Sequence, residues 1–321
     1  MQIKNILISI IVFGLAAYGG VKGYMYYAAK KDIDQIFTAM EYFSGGELRI
    51  DYEHIASSIY GPVGIRGLRL RLPRYEEEIT IKEFSLYERD LKGDLSKGDL
   101  PGRFHFKIDQ MTMNTSLITR LQQQAEKIRQ TNNIKQDDGM RVLKRLGYAG
   151  IYETSNDLVA LGYDRLTMTF EMDVQIDVKQ RQVVVHYNTV VEDMGTFNLS
   201  VHMDGVTNNI NDAVLGVKLK EVRFEYIDDS YMDRLMKVYA DQRNMELEPF
   251  REQLVTAFKT DIEQKQIKLS EDSIKNVQDF LKKPNRLILT MYPFKPVGIE
   301  SIKHYKPGDV PMLLNLQAHL P

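Results

Sequence analysis

The chain has 321 residues, 43% of them hydrophobic and 27% charged, with a formal net charge of -2. This is the composition of an ordinary folded protein, not of a disordered or collagen-like one, and its balanced charge argues against a surface built to blanket a nucleic-acid backbone. The absence of cysteine excludes disulfides, thiolate zinc sites, iron–sulfur clusters, cysteine nucleophiles and a lipid-bearing cysteine.

From Ile6 to Val21 the sequence is apolar except for Ser9; Lys22, the tyrosines Tyr24, Tyr26 and Tyr27, and Lys30-Lys31 follow. A helix from Ile6 to Ala29 would measure about 36 Å, enough for a hydrocarbon core of about 30 Å. Lys22 can carry its ammonium out to the headgroups, and the tyrosines sit at the depth of an aromatic belt. Residues 1–31 are therefore read as an uncleaved membrane anchor. A cleaved secretory signal is the alternative, with small residues at Ala16, Ala17 and Gly19. Lys22, Lys30 and Lys31 outnumber Lys4, which opposes export, but Asp32 and Asp34 follow at once and the body is read as exported.

Beyond this segment, Ile33, Ile36, Phe37 and Met40 have helical spacing and predict a juxtamembrane helix ended by Ser44-Gly45-Gly46. Strands follow. Leu68, Leu70 and Leu72 alternate with Arg69 and Arg71, and Ile79 and Ile81 with Thr80 and Lys82 before the phase slips to Phe84 and Leu86. Phe104, Phe106 and Ile108 alternate with His105, Lys107 and Asp109. Each is a period-two segment with one apolar and one polar face. Leu117 to Gln130 and Met140 to Leu146 read as helices around a polar turn and divide the body into sub-modules 32–146 and 147–321.

The strongest strand signal is Met168, Phe170, Met172, Val174, Ile176 and Val178, which alternate with polar residues without a fault. Eleven residues span roughly 36 Å, well beyond the usual strand of about 5–6 residues. Val183, Val185 and Tyr187 begin another strand, and Phe197, Leu199, Val201 and Met203 a third. A fourth carries Leu215, Val217 and Leu219, slips near Glu221, and resumes with Val222, Phe224 and Tyr226; such slips predict β-bulges. Short connections make an antiparallel meander the economical topology. Ser230 reads as the N-cap of a helix, Pro249 as a fresh helix start, and Ser270 to Phe280 as a third helix stopped by Pro284. Leu287, Leu289 and Met291 make a last clear strand, and a further one is placed around Leu313, Leu314 and Leu316.

No metal-binding or nucleophilic motif stands out. The six histidines show no metal spacing, and there is no G-x-S-x-G elbow, Walker loop or dinucleotide fingerprint. His105 and His202 fall on polar strand sides and read as solvated surface histidines. Asp228-Asp229-Ser230 is explained by helix capping. Arg66, Arg69, Arg71 and Arg74 admit two readings: a solvated strand face balanced by Glu76, Glu77 and Glu78, or contact with anionic headgroups. Collectively, successive amphipathic strands make one continuous apolar sheet face. Helices from Tyr231 to Phe280 close it into a core, or cover it in part and leave a groove suited to acyl chains.

The anchor followed by Gly61-Pro62-Val63-Gly64-Ile65-Arg66-Gly67-Leu68-Arg69-Leu70 resembles the opening of AsmA-like bacterial envelope proteins. Leu146-Gly147-Tyr148, Asp193-Met194-Gly195 and Tyr226-Ile227-Asp228-Asp229-Ser230 resemble single-span proteobacterial proteins of the YdgA type. This likeness of texture implies an inner-membrane anchor, a periplasmic β-rich body and a role with lipids or envelope assembly, and it supplies no catalytic residues. The expected fold is α+β: a transmembrane helix, then a twisted, mainly antiparallel sheet with helices on one face. The expected function is non-enzymatic, with no cofactor and no metal. Lipid is bound or passed along an apolar groove lined by Met168, Phe170, Met172, Val174, Ile176, Phe197, Leu199 and Val201, with Arg66, Arg69 and Arg71 as headgroup contacts. The alternative is an adaptor with a sealed core that docks another envelope protein.

Overall fold

The computed structural model describes residues 26–56, 63–87, 102–118, 120, 155–206, 216–302 and 304–321. They fall into two compact units: 26–56, 63–86, 109–118, 120 and 155–167 in the first, and 87, 102–108, 168–206, 216–302 and 304–321 in the second. The elements of the first are α1 (Tyr26–Phe43), β1 (Arg49–Asp51), β2 (His54–Ala56), β3 (Val63–Leu72), most of β4 (Glu77–Tyr87), the second half of β5 (Arg103–Asn114), α2 (Ser155–Ala160) and the start of β6 (Arg165–Asp177). The second holds the rest of β5 and β6, then β7 (Gln182–Val191), β8 (Gly195–Asp204), β9 (Lys218–Asp228), α3 (Tyr231–Gln242), α4 (Leu247–Gln264) and α5 (Glu271–Lys282). It ends with β10 (Arg286–Met291), β11 (Val297–Gly298), α6 (Ile299–Ile302), α7 (Val310–Leu313) and β12 (Leu316–His319).

The expected membrane anchor is corrected here. Among the described residues no helix is long and apolar enough to cross a membrane. Ile6 to Met25 of the expected span lie outside the described residues. Tyr26 to Ala29 belong to α1, which runs on through Lys30, Lys31, Asp32, Asp34 and Glu41, more charge than a hydrocarbon core accommodates. The single-span topology and the inner-membrane location with a periplasmic body rested on that helix and are not carried forward, nor are membrane lipids as partners or lipid passage as function. The expected helix spacing does operate within the first unit: Ile33 and Phe37, four apart, are buried. Tyr52 donates to Asp34 at 2.6 Å and meets Phe37 edge-on, and the Ile50 amide donates to Glu41 at 2.6 Å.

In the same unit β3 pairs antiparallel with β1, β2 and β4. Ile65 opposes Phe84 and Leu68 opposes Ile81, so both strands change their buried side between these pairs. Gly67, at φ +63°, makes the change on β3; a Cβ there would lie 2.4 Å from Glu53. The phase slip read between Ile81 and Phe84 is thus a coordinated turn of two strands without loss of register. The expected helix from Leu117 is helical through Thr115–Ile118 and at Arg120, and its continuation, with Met140 to Leu146, lies outside the described residues.

In the second unit the strands run β6-β7-β8-β9-β10-β12 in space, all neighbours antiparallel, with β11 also on β9. The meander is therefore as expected. Opposite His202–Met203 the partner jumps from Glu221 to Leu219, which leaves Lys220 as the extra residue of a bulge where the sequence slips phase. Tyr231, Leu235, Met236 and Ala240 form the buried stripe of α3, and Phe250 of α4 packs on Met236 and Ala240. α5 lies against α4, β10 and β12, and its Phe280 meets Tyr226 of β9 edge-on at 6.1 Å. Ser230 is the N-cap residue of α3, as expected, but makes no side-chain capping bond. Its hydroxyl donates to the Asp193 carbonyl, while Asp228 two residues earlier accepts from the Met232 amide at 2.9 Å.

β12 ends the strand order, and the outward amide and carbonyl of its Ala318 are taken by α5. The Ala318 amide donates to Ser273 Oγ at 3.0 Å, and Asn276 donates to the Ala318 carbonyl at 2.8 Å. Two side chains stand where a further strand would pair, which is one way of protecting an exposed edge. Ser273 is 2% exposed. Ser273→Ala should orphan a buried amide and lower the unfolding free energy measured by urea titration by about 1–3 kcal/mol; a change under about 0.5 kcal/mol would show that water satisfies it.

Candidate functional site

Period-two alternation gives the second unit's sheet one apolar and one polar face, and register decides which side chains meet on each. On the polar face, β6 to β9 line up two rows across the strands. The first is Asp173, His186, Ser200 and Arg223; the second is Glu171, Asn188, Asn198 and Glu225, every neighbour in a row being directly opposed. A groove of about 640 Å³ runs over these rows, with Arg103 and His105 of β5 at one side. A second depression of similar volume lies along α1 between Lys30 and Phe43; its described lining comes from a single helix, so its polar groups do not converge.

Each carboxylate in the groove already has a protein partner. Arg103 grips Asp173 through two bonds, Nε to Oδ1 at 2.8 Å and Nη2 to Oδ2 at 2.5 Å, and Gln175 adds a third bond to Asp173. His105 Nε2 lies 2.7 Å from Glu171 Oε1, and its ring stacks on Tyr87 at 4.3 Å. Glu225 takes the guanidinium of Arg286 from β10. Asn188 donates to Asn198. The Asp173 and Glu225 side chains are only 15% and 13% exposed, so unpaired they would be costly. Burial, the largest influence, pushes the Asp173 carboxyl up. The bonds from Arg103 and Gln175 and the nearby charges of Arg103 and His105 together outweigh it and hold Asp173 below its ordinary value. The bond to Asp173, working against lost hydration, pushes Arg103 above its own ordinary value.

Asp173, His186 and Ser200 are the residue types of a nucleophilic triad in adjacent positions, but they are not wired as one. A triad needs the acid bonded to the base and the base to the nucleophile. Here Asp173 is engaged by Arg103 and Gln175, and among the described residues neither His186 nor Ser200 makes a side-chain hydrogen bond. No group of three His, Asp or Glu side chains among the described residues is arranged to hold a metal ion.

The residues expected to line a lipid groove occupy the opposite face. Met168, Phe170, Met172, Val174 and Ile176 of β6 and Phe197, Leu199 and Val201 of β8 are all half-buried. Phe170 stacks with Phe106 at 5.2 Å and meets Tyr187 edge-on at 4.9 Å, while Phe197 stacks on Tyr226 at 4.8 Å. The buried Thr189, opposite Phe170 and Phe197, has a hydroxyl with no partner in this strip. In the first unit, Arg66 pairs with Glu83, Arg69 with Glu53, Arg71 with Asp51 and Glu78, and Arg74 with Glu47. All four guanidiniums are thus matched by carboxylates, and of the Glu76–Glu78 triplet only Glu78 takes part. Such exposed pairs contribute about 0–1 kcal/mol each.

The polar groove itself was missed, and His105 is not the plain solvated histidine expected, being 17% exposed and paired. A signal was available. Asp173, Asn188 and Asn198 sit inside long strands, where Asp and Asn are disfavoured, and such choices ask for a reason beyond solvation.

Because the folded Asp173 titrates below its unfolded value, its contribution to stability is complete above the ordinary value of about 3.9 and is lost as pH falls through the lower folded one. Asp173→Asn should lower stability near pH 7 by about 1–3 kcal/mol, since Arg103 loses its anion, and should flatten the acid limb below about pH 4. Urea titrations at a series of pH values measure both; an unchanged acid limb would show that the pair contributes nothing.

A family model described only as "Uncharacterized protein" matches residues 188–320, less than half of the chain. The match takes in Asn188, Asn198, Ser200, Arg223 and Glu225 of the groove and leaves out Arg103, His105, Glu171, Asp173 and His186. No curated protein matches the chain.

Proposed function

We propose that this protein is a non-enzymatic binding protein that holds a small polar ligand in the groove on the polar face of its β5–β9 sheet. The observation that carries this reading is a polar floor built before any ligand arrives. Five strands position it, and its three carboxylates are each fixed by a partner from another strand. A volume of about 640 Å³ lies within the usual range for small-molecule sites, about 300–1,000 Å³. Groups mounted on paired strands hold their geometry better than groups on loops. The unwired Asp173, His186 and Ser200 support binding over turnover.

The test is a thermal-shift screen with small polar metabolites on the full chain. A ligand at a hundred times its Kd adds about 2.7 kcal/mol of stability, several degrees in Tm for a unit of this size. Ser200→Tyr, which plugs the groove, should abolish the shifts, whereas Met172→Leu on the opposite face should leave them intact. Shifts that survive the plug would place the ligand elsewhere and overturn the reading.

A further inference from the structure

The groove leaves one set of donors unused. Arg223, Ser200 and His186 are directly opposed on β9, β8 and β7, and among the described residues none of the three makes a side-chain hydrogen bond or ion pair. Neighbouring strands lie about 4.8 Å apart, so the three side chains form a short ladder of donors across the groove. Arg223 and His186 are exposed and Ser200 is half-buried, so a ligand reaches all three without any native bond being broken. A guanidinium fork beside a hydroxyl matches the two oxygens of an oxyanion.

Building on the groove as a binding site, we infer that its ligand is held through a carboxylate seated between the Arg223 guanidinium and the Ser200 hydroxyl, with the His186 ring as third contact. The surrounding charges select this anion. Glu221 and Glu225 stand two residues either side of Arg223 on the same strand face, and Asp173 opposes His186. Glu221 is occupied by His202 at 3.4 Å, Glu225 by Arg286 and Asp173 by Arg103. That leaves Arg223 as the guanidinium of the groove without an acidic partner, with three carboxylates around it. A singly charged planar carboxylate is matched by one guanidinium, whereas a phosphate dianion brings a second negative charge that nothing there balances. The Asn188–Asn198 amides beside the ladder suit the neutral polar part of the ligand.

The experiment titrates isotopically labelled full chain with sodium acetate, inorganic phosphate near pH 7.5 or sodium chloride at constant ionic strength, following the Arg223 Nε–H and the Ser200 and Arg223 amide resonances. Acetate should give a saturable shift of these signals, with phosphate weaker and chloride without effect. Arg223→Gln should raise the acetate Kd at least about tenfold, the loss expected for one charge-assisted fork, and Arg223→Lys should fall between the two. Arg66→Gln, in the first unit, should leave the titration unchanged and controls for charge alone. Equal shifts with chloride, tighter binding of phosphate, or an Arg223→Gln variant that still binds acetate would overturn the assignment. Neutral ligands that shift Tm through the groove while acetate leaves Arg223 unmoved would sink the carboxylate and spare the groove. Acetate bound at Arg223 together with ligand shifts that survive Ser200→Tyr would do the reverse.

Discussion

Antiparallel register between β6 and β9 is the constraint on which the second unit depends. Residues 168–177 pair one-to-one with β7, and 182–191 pair one-to-one with β8. A slip of one residue in β6 would carry Phe170 and Met172 into the groove and put Glu171 and Asp173 among the aromatic rings of the other face. Neither face tolerates that exchange: the carboxylates would lose Arg103 and His105, and the rings would lose Phe106 and Tyr187. The polar pairs and the apolar strip therefore enforce the same alignment from opposite sides. The single departure, at Lys220, falls at the end of the β8–β9 ladder, beyond both groove rows.

A polar sheet face of this kind can be a solvated surface with mobile, loosely paired charges. The groove differs because two of its carboxylates, Asp173 and Glu225, are poorly exposed and all three are held by partners on other strands. Pairing removes most of their capacity to attract a ligand and leaves the unpaired donors to decide what binds. In the first unit the arginines of β3 are all matched by carboxylates at an exposed surface, and no donor is left over in that row.

The edge of the sheet is handled by different chemistry. Ser273 and Asn276 of α5 occupy the amide and carbonyl of Ala318, so strand addition at that residue would first have to displace a helix. The same helix brings Phe280 to Tyr226 and so joins edge protection to closure of the apolar face. That closure is local: the apolar residues of β6 and β8 farther along remain half-buried.

Much of this architecture is written in local pattern. Period-two runs located the long strands, the break at Glu221 marked the bulge, and Ser270 marked the start of α5, where its hydroxyl accepts the Ser273 amide. Local pattern misled where apolar composition stood in for structure. Tyr26 to Ala29, read as the end of a span, lie in a helix that continues through Lys30, Lys31, Asp32, Asp34 and Glu41, because hydropathy alone does not say how far a helix runs. Which side chains share a face was thus settled by the sequence alone, since alternation depends only on neighbouring residues. Which of them bond to one another was decided by the tertiary structure: Arg103 and Asp173 are 70 residues apart, and strand order and register brought them together. Arg223 is left over for the same reason, since a donor stays free only when every carboxylate within reach has found another partner.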